Sequence, residues 1–256
     1  MKALHTAPPV SEKTGTNASS DVAKRGLLPR NALVHIPLIL VIYLLGFAFV
    51  LFANTIDQYF LLDDFEVIYS AKYNKLSHVL LGYDTVLEQK FFRPLPMFFT
   101  WLLHQLFGVA PAAFHALSVL LHAATAIAAA NLVYLLHRNK GLAAIFGMLF
   151  IAFPNHSEVV NWPAITFTSW SAVFYFLSLN LFAHYRLSSR YRFLGFSLLC
   201  FLAGMLSKEE AFTLPASLIV FDVYFSWKWK LKTPIRRRVA EYASYFLLLF
   251  LVVFVT

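Results

Sequence analysis

Long apolar runs, separated by short polar segments, follow one another along almost the whole chain. They cover residues 33–53, 111–136, 141–154, 162–184, 193–206, 211–227 and, from near Tyr242, the end of the sequence. Runs of this length without strict alternation are typical of membrane-spanning α-helices, whereas a membrane β-barrel needs alternating segments of about ten residues. The pattern therefore predicts an all-α polytopic membrane protein with about seven transmembrane helices.

One further apolar run, residues 94–107, is shorter than a membrane span. As a helix it is about 21 Å long, whereas the hydrocarbon core is about 30 Å thick. If this run crossed the membrane, every later loop would lie on the opposite side, and the distribution of Lys and Arg between the two sides would no longer fit. We therefore expect a helix in the outer membrane interface, with Trp101 and neighbouring Phe side chains facing lipid. It belongs to a large first outer loop, residues 54–110.

Two of the spanning runs, those ending at Pro154 and Leu206, are also short. A short span ends below the membrane surface unless its flanks extend it. Polar backbone and charge are tolerated at that depth only in a water-filled place. The outer loops 155–161 and 207–210 are therefore expected to line a recessed funnel.

Composition and charge place the chain in the membrane and orient it. Apolar residues make up 59% of the sequence and charged residues 13%, about half the charged share of a soluble domain. With a cytoplasmic N-terminus, only five of the 21 Lys and Arg residues fall outside: Lys72, Lys75, Lys90, Arg93 and Lys208. This bias obeys the positive-inside rule. The net charge of +8 then faces anionic lipid, and no nucleic-acid partner is expected.

The ends of the chain differ in character. Residues 1–32 are polar and rich in Ser, Thr, Pro and Lys, which predicts a disordered cytoplasmic segment without a cleavable signal peptide. Residues 33–256 form one transmembrane bundle. The sequence stops inside an apolar run, so we expect it to be the N-terminal part of a longer protein. Short loops favour a bacterial inner membrane over the endoplasmic reticulum.

Acidic residues concentrate on the outer side, although topology does not require carboxylates there. The outer acidic residues are Asp57, Asp63, Asp64, Glu66, Asp84, Glu88, Glu158, Glu209 and Glu210. Many of them belong to four polar clusters, which topology places on one face. These clusters are residues 62–65, 92–94, 154–158 and 207–210.

The first two clusters offer a base and a cation. The adjacent carboxylates Asp63 and Asp64 can remove a proton or hold a divalent ion such as Mg²⁺ or Mn²⁺. The alternative is a helix N-cap in a solvated loop. Arg93 can hold a phosphate, or it can form a structural ion pair or a headgroup anchor.

The other two clusters also have two interpretations each. His156 and Glu158 can ligate a metal or relay a proton, or they can form a polar turn that caps the following helix. Lys208 can bind phosphate, with Glu209 beside it, or both can belong to an ordinary charged turn at a helix N-terminus. The residues alone leave these alternatives open.

Several segments carry a resemblance to a known family. They are Leu62-Asp63-Asp64-Phe65, Phe91-Phe92-Arg93-Pro94-Leu95-Pro96, Leu106-Phe107-Gly108, residues 114–122, residues 156–160, and Ser207-Lys208-Glu209-Glu210 followed by Pro215. This ordered set resembles the integral-membrane glycosyltransferases of the GT-C fold. It is most similar to the transmembrane and tetratricopeptide-repeat O-mannosyltransferases, and more distantly to protein O-mannosyltransferases and aminoarabinose transferases. The resemblance covers residues 33–256, without the repeat domain.

The resemblance implies a reaction and its participants. A sugar on polyprenyl or dolichyl phosphate enters the outer funnel from the bilayer. Asp64 or Asp63 takes the proton of a protein or glycan hydroxyl, which attacks the anomeric carbon with inversion. Arg93 and Lys208 steady the departing phosphate, while His156, Glu158 and Glu209 contact the substrates. Some relatives use a divalent cation and others do not, so a metal on Asp63 and Asp64 stays open.

Two other function classes compete with a transferase. One is a transporter or flippase component for lipid-linked or anionic solutes. The spans show almost no ionisable residues at mid-membrane depth, which argues against a transport pathway. The other is a non-catalytic scaffold that keeps the fold, and the early end of the chain favours it.

Overall fold

The structure, a computed structural model, describes residues 35–82 and 92–255, and every regular element in them is helical. The predicted all-α class is confirmed for this part of the chain. The expectation of a disordered segment at residues 1–32, and the outer-loop residues Asp84, Glu88 and Lys90, lie outside the described residues.

The helices alternate between long apolar elements and short connecting ones. They are α1 (Leu38–Leu51), α2 (Ala53–Ile56), α3 (Asp64–Tyr73), α4 (Leu76–Leu80), α5 (Pro94–Phe107), α6 (Pro111–His137), α7 (Lys140–Ile151), α8 (Ser157–Asn161), α9 (Thr166–Ser188), α10 (Tyr191–Met205), α11 (Leu214–Lys228) and α12 (Ile235–Val255). Short 3₁₀ helices at Pro154–His156, Pro163–Ile165 and Glu209–Thr213 precede α8, α9 and α11.

Two helices in the described residues are long and apolar enough to cross a membrane. They are α6 and the helix over Pro163–Ser188, which contains α9. A third crossing is formed if α7 and residues Pro154–Asn161 are one span, bent by 56°. The bend falls where extended Phe153 precedes Pro154, since proline supplies no N–H to continue the helix. Helices α1 and α10 are apolar but shorter.

Helix α6 lies at the centre of the bundle, and most of its side chains are buried. On one side its small residues Ala123, Ala126 and Ala130 pack against α1 and α7. Helices α1 and α7 approach closely at Gly147, where an added Cβ would lie 2.8 Å from Cδ1 of Leu44. Small residues at such positions are the usual device for packing helices in a membrane.

A second buried cluster joins the helices α9 to α12. Phe182, Phe201, Leu218 and Tyr245 meet in it with no exposed surface. The opposite faces of the outer helices carry exposed apolar side chains, among them Ile39, Leu149, Leu199, Val220 and Phe254. Apolar surface on so many helices is typical of a bundle that lipid surrounds.

The connecting segments gather at two ends. We call the end with residues 55–65, 92–95, 154–168 and 206–213 the polar end, because hydrogen bonds join these segments to one another. We call the end with residues 138–140, 184–192 and 228–238 the basic end. The predicted outer clusters all lie at the polar end.

Helix α5 begins at Pro94 and ends at Phe107, as predicted. Pro94 suits the first turn of a helix, and Gly108, with φ +61°, ends it. The expectation that its Phe side chains face lipid is wrong for Phe99, whose ring stacks on Trp170 with 4.1 Å between centroids. Trp101 is half-buried.

Two helix boundaries differ from the prediction at the basic end. Helix α12 begins at Ile235 rather than near Tyr242, and α9 continues to Ser188. Arg186 and Arg237, expected in cytoplasmic loops, therefore lie in helices. Their charges are compensated by buried carboxylates, which a reading of local hydropathy does not reveal.

Candidate functional site at the polar end

Asp64 joins the first polar cluster to the segment before α9. The N–H of Ala164 donates to its Oδ1 (2.6 Å) and the N–H of Leu61 donates to its Oδ2 (2.9 Å). The residue is only 1% exposed. With Thr100, Phe114 and other residues it lines a small cavity between α3, α5 and α6. Asp64 thus holds the outer loop in place.

The two adjacent carboxylates have different surroundings. Burial raises the pKa of Asp64, and the N–H groups of Leu61 and Ala164 oppose this only in part. Asp63 is exposed and stands at the N-terminus of α3, where its side chain does not cap the helix. The solvent-accessible carboxylate of the pair is therefore that of Asp63.

Arg93 joins the second and fourth clusters. Its Nη2 lies 2.9 Å from Oε1 and 3.0 Å from Oε2 of Glu209, and its guanidinium lies 4.8 Å from the centroid of the Phe167 ring. The N–H of Leu95 also donates to the carbonyl of Leu206 (3.3 Å). The start of α5 is therefore fastened to the turn before α11.

The charge of Glu209 reflects this contact. Partial burial raises the pKa of Glu209, but its own backbone N–H and the positive charges of Arg93 and Lys208 outweigh that effect. The pKa of Glu209 in the folded protein is consequently below its ordinary value. Glu209 is ionised at neutral pH and keeps Arg93 in position.

Lys208 provides a second cation at the same place. Its Nζ donates to Oγ1 of Thr168 (2.9 Å) and to Glu210 (2.6 Å). Thr168 directly follows Phe167, which lies under Arg93. The first turn of α9 therefore contacts both cations, each of which is paired with a glutamate, Glu209 or Glu210.

His156 and Glu158 lie on the bent segment after α7. Nδ1 of His156 is 2.9 Å from the carbonyl oxygen of Phe150, and its ring is 5.3 Å from that of His122. No contact joins His156 to Arg93 or Lys208 within residues 35–82 and 92–255. Glu158 is exposed in the first turn of α8. This cluster therefore lies at the polar end without touching the two cations.

A metal site is not evident. Residues 35–82 and 92–255 contain no group of three or more His, Cys, Asp or Glu side chains placed to hold a metal ion. Both oxygens of Asp64 already accept backbone N–H groups, which leaves Asp63 as the more available ligand. The acidic pair alone does not form a cation site.

Sequence reasoning missed a buried ionic network at the basic end. Arg186 Nε and Nη2 each donate to an oxygen of Asp222 at 2.7 Å, and Nη1 donates to Glu241. Arg237 also pairs with Glu241, at 3.0 Å. Asp222 is fully buried in an apolar run, and an acidic residue in such a run is the signal that could have found the network.

Comparison of the chain with protein-family models, with curated proteins and with solved structures finds no match.

Proposed function

We propose that the chain is the membrane part of a glycosyltransferase. It would move a mannose-like sugar from polyprenyl or dolichyl phosphate to a protein or glycan hydroxyl with inversion. The observation that supports this most is the contact of Arg93 with Glu209 beside Lys208, next to the loop that Asp64 fastens. A base and two cations are the groups that such a transfer needs.

Asp63 and Asp64 have different roles in the proposed reaction. Asp63 takes the proton of the acceptor hydroxyl while that oxygen bonds to the anomeric carbon. The bond from the anomeric carbon to the phosphate oxygen breaks, and the polyprenyl phosphate leaves with the electron pair. Asp64 is a positioning residue, because its buried carboxylate fixes the loop that carries Asp63.

The two cations take the phosphate. Arg93 and Lys208 are each mostly buried, with 14% and 21% of the side chain exposed, so water screens their charges little. Charge that develops on the departing phosphate is stabilised there. Glu209 holds Arg93 before the donor binds, and His156 and Glu158 contact the acceptor or the sugar.

The topology that fits this reaction has seven crossings: α1, α6, α7 with α8, α9, α10, α11 and α12. Helix α5 then lies in the outer interface. The polar end faces outward and the N-terminus is cytoplasmic, because Lys and Arg concentrate at the basic end. A bacterial inner membrane is the proposed location.

A transfer assay with lipid-phosphate sugar tests the proposal. The double variant Asp63→Asn with Asp64→Asn should lose several orders of magnitude in rate. Asp63→Asn alone should lower kcat by about 10²–10⁴-fold with little change in Tm, since it removes only the base. Asp64→Asn should lower kcat and Tm together. Asp57→Asn, another exposed acidic residue of this loop, is the control. Near-normal transfer by the double variant would refute the assignment.

The buried network favours one competing function, a transporter of lipid-linked or anionic solutes. Ionisable groups inside spanning helices often mark a solute or proton path. However, Arg186, Ser226 and Tyr242 already donate to the oxygens of Asp222, as expected of a structural clamp. Solute flux in vesicles that Asp222→Asn abolishes and Asp63→Asn leaves intact would support transport instead.

A further inference from the structure

Three side chains at the basic end each carry a buried nitrogen that has no hydrogen-bond partner among the described residues. They are Arg138, which follows α6, His184 in α9 and Trp229, which follows α11. The atoms are Nε and Nη2 of Arg138, Nε2 of His184 and Nε1 of Trp229. The guanidinium of Arg138 lies 5.2 Å from the Trp229 ring centroid, and its charge acts on His184. We call these three residues the Arg138 cluster.

The two nitrogens of Arg138 without partners, Nε and Nη2, lie on the edge of the guanidinium group that commonly binds anions. Nε and Nη2 point in parallel and form the fork that matches two oxygens of a carboxylate or phosphate. Arg186 uses the same two atoms to hold Asp222. Arg138 has no carboxylate within ion-pair distance in the described residues, so its half-buried charge lacks a counterion there.

His184 and Trp229 add hydrogen-bonding groups beside this charge. His184 is 5% exposed, and its ring lies 4.9 Å from that of His35. Trp229 can only donate, and His184 can donate from Nε2. Leaving such groups unpaired costs about 1–3 kcal/mol each, so an acceptor is expected. A tetrahedral oxyanion can accept from several donors and carries the negative charge that Arg138 lacks, whereas a water molecule cannot neutralise that charge.

We infer that the Arg138 cluster binds the oxyanion of a phosphate group. Two sources offer this chemistry, the headgroup of a phospholipid in the surrounding leaflet and free inorganic phosphate. The site lies at the basic end, away from the proposed sugar site, and goes beyond the proposed function.

Thermal unfolding of the full chain in neutral detergent tests this inference. Dioleoylphosphatidylglycerol, dioleoylglycerol, which lacks the phosphate, and inorganic phosphate are the probes. Binding to the folded state raises Tm with ligand concentration. A rise with phosphatidylglycerol alone identifies a lipid headgroup, and a rise with inorganic phosphate as well identifies the phosphate itself. No rise with either, or an equal rise with dioleoylglycerol, overturns the inference.

Variants decide whether the cluster is the site. Arg138→Gln should weaken phosphate binding about tenfold or more, because it removes a charged, bidentate hydrogen-bonding group. Arg190→Gln removes one exposed charge from the same end and should bind as the native chain does. Trp229→Phe keeps the ring and removes only the donor, and it decides the question if Arg138→Gln does not fold. Equal weakening by Arg138→Gln and Arg190→Gln contradicts the site, and so does native binding by Trp229→Phe.

Discussion

Arg93 and Glu209 are 116 positions apart in the sequence, yet one guanidinium nitrogen of Arg93 contacts both carboxylate oxygens of Glu209. The pair is asymmetric, since 14% of the Arg93 side chain is exposed and 56% of the Glu209 side chain. Arg93 is therefore the more buried partner, and Glu209 holds it from the solvent side. In the proposed reaction, a donor phosphate that binds Arg93 would compete with Glu209, the more exposed partner.

The stability that this pair contributes should depend on pH. The pKa of Glu209 is lower in the folded protein than its ordinary value of 4.5. Its contribution is therefore fully present above 4.5 and is lost as the pH falls through the folded pKa. Because Glu209 is exposed, we expect less than about 1 kcal/mol. The Tm difference between the native chain and Glu209→Gln, measured from pH 7 downward, should vanish on acidification. Glu158→Gln serves as the control, and a difference that persists in acid contradicts the prediction.

Neutralising either cation should slow sugar transfer. Arg93→Gln and Lys208→Gln each remove a charge that stabilises the departing phosphate in the proposed reaction, so kcat should fall about 10²–10³-fold. Lys75→Gln removes an exposed charge from the same outer loop and should keep the native rate. Steady-state kinetics with a saturating acceptor measures the effect. If all three variants lose the same factor, general electrostatic attraction explains the loss and the site does not.

The buried network at the basic end should respond differently to single and paired changes. Asp222→Leu leaves Arg186 with one fewer partner, and Arg186→Met leaves two buried carboxylates. Each single change should cost about 3–5 kcal/mol of folding stability. The double variant removes the pair as a unit and should be more stable than Arg186→Met alone. Unfolding in denaturant measures this cycle, and strictly additive losses would contradict a coupled network.

Sidedness can be measured because the chain has a single cysteine, the half-buried Cys200. In a Cys200→Ser background, Val109→Cys introduces a thiol at the polar end and Lys232→Cys introduces one at the basic end. A membrane-impermeant maleimide added to intact cells should label position 109 and spare position 232. Permeabilised cells should show both. The reverse pattern would overturn the proposed orientation.

Helix bounds were predicted well where the sequence has residues that commonly begin or end a helix. Pro94 and Gly108 bound α5, and Pro111 begins α6, so both helices were predicted within a residue at each end. The start of α12 was missed because Arg236, Arg237 and Glu241 form a polar stretch typical of a loop. Arg237 and Glu241 pair with Tyr185 and Arg186 of α9, and a single sequence does not show such long-range contacts.

The candidate site was predictable in its residues but not in its contacts. Topology placed the four clusters at one end. The structure joins the second and fourth through Arg93 and Glu209, while the first contacts Ala164 and the fourth contacts Thr168, near the start of α9. The sequence treated Asp63 and Asp64 as equivalent. Only the folded structure distinguishes them, because the backbone N–H groups that donate to Asp64 belong to Leu61 in the loop and to Ala164, 100 positions away.

The most direct test of the account is to locate the lipid-phosphate sugar on the protein. A short-chain polyprenyl phosphate mannose that carries a photoreactive diazirine is irradiated with the full chain in vesicles, and the labelled peptides are identified by mass spectrometry. The account predicts labelling in residues 92–100 and 206–215 at the polar end, removed by excess unlabelled donor and weakened in Arg93→Gln. Labelling at the basic end, or labelling that excess donor does not displace, would contradict it.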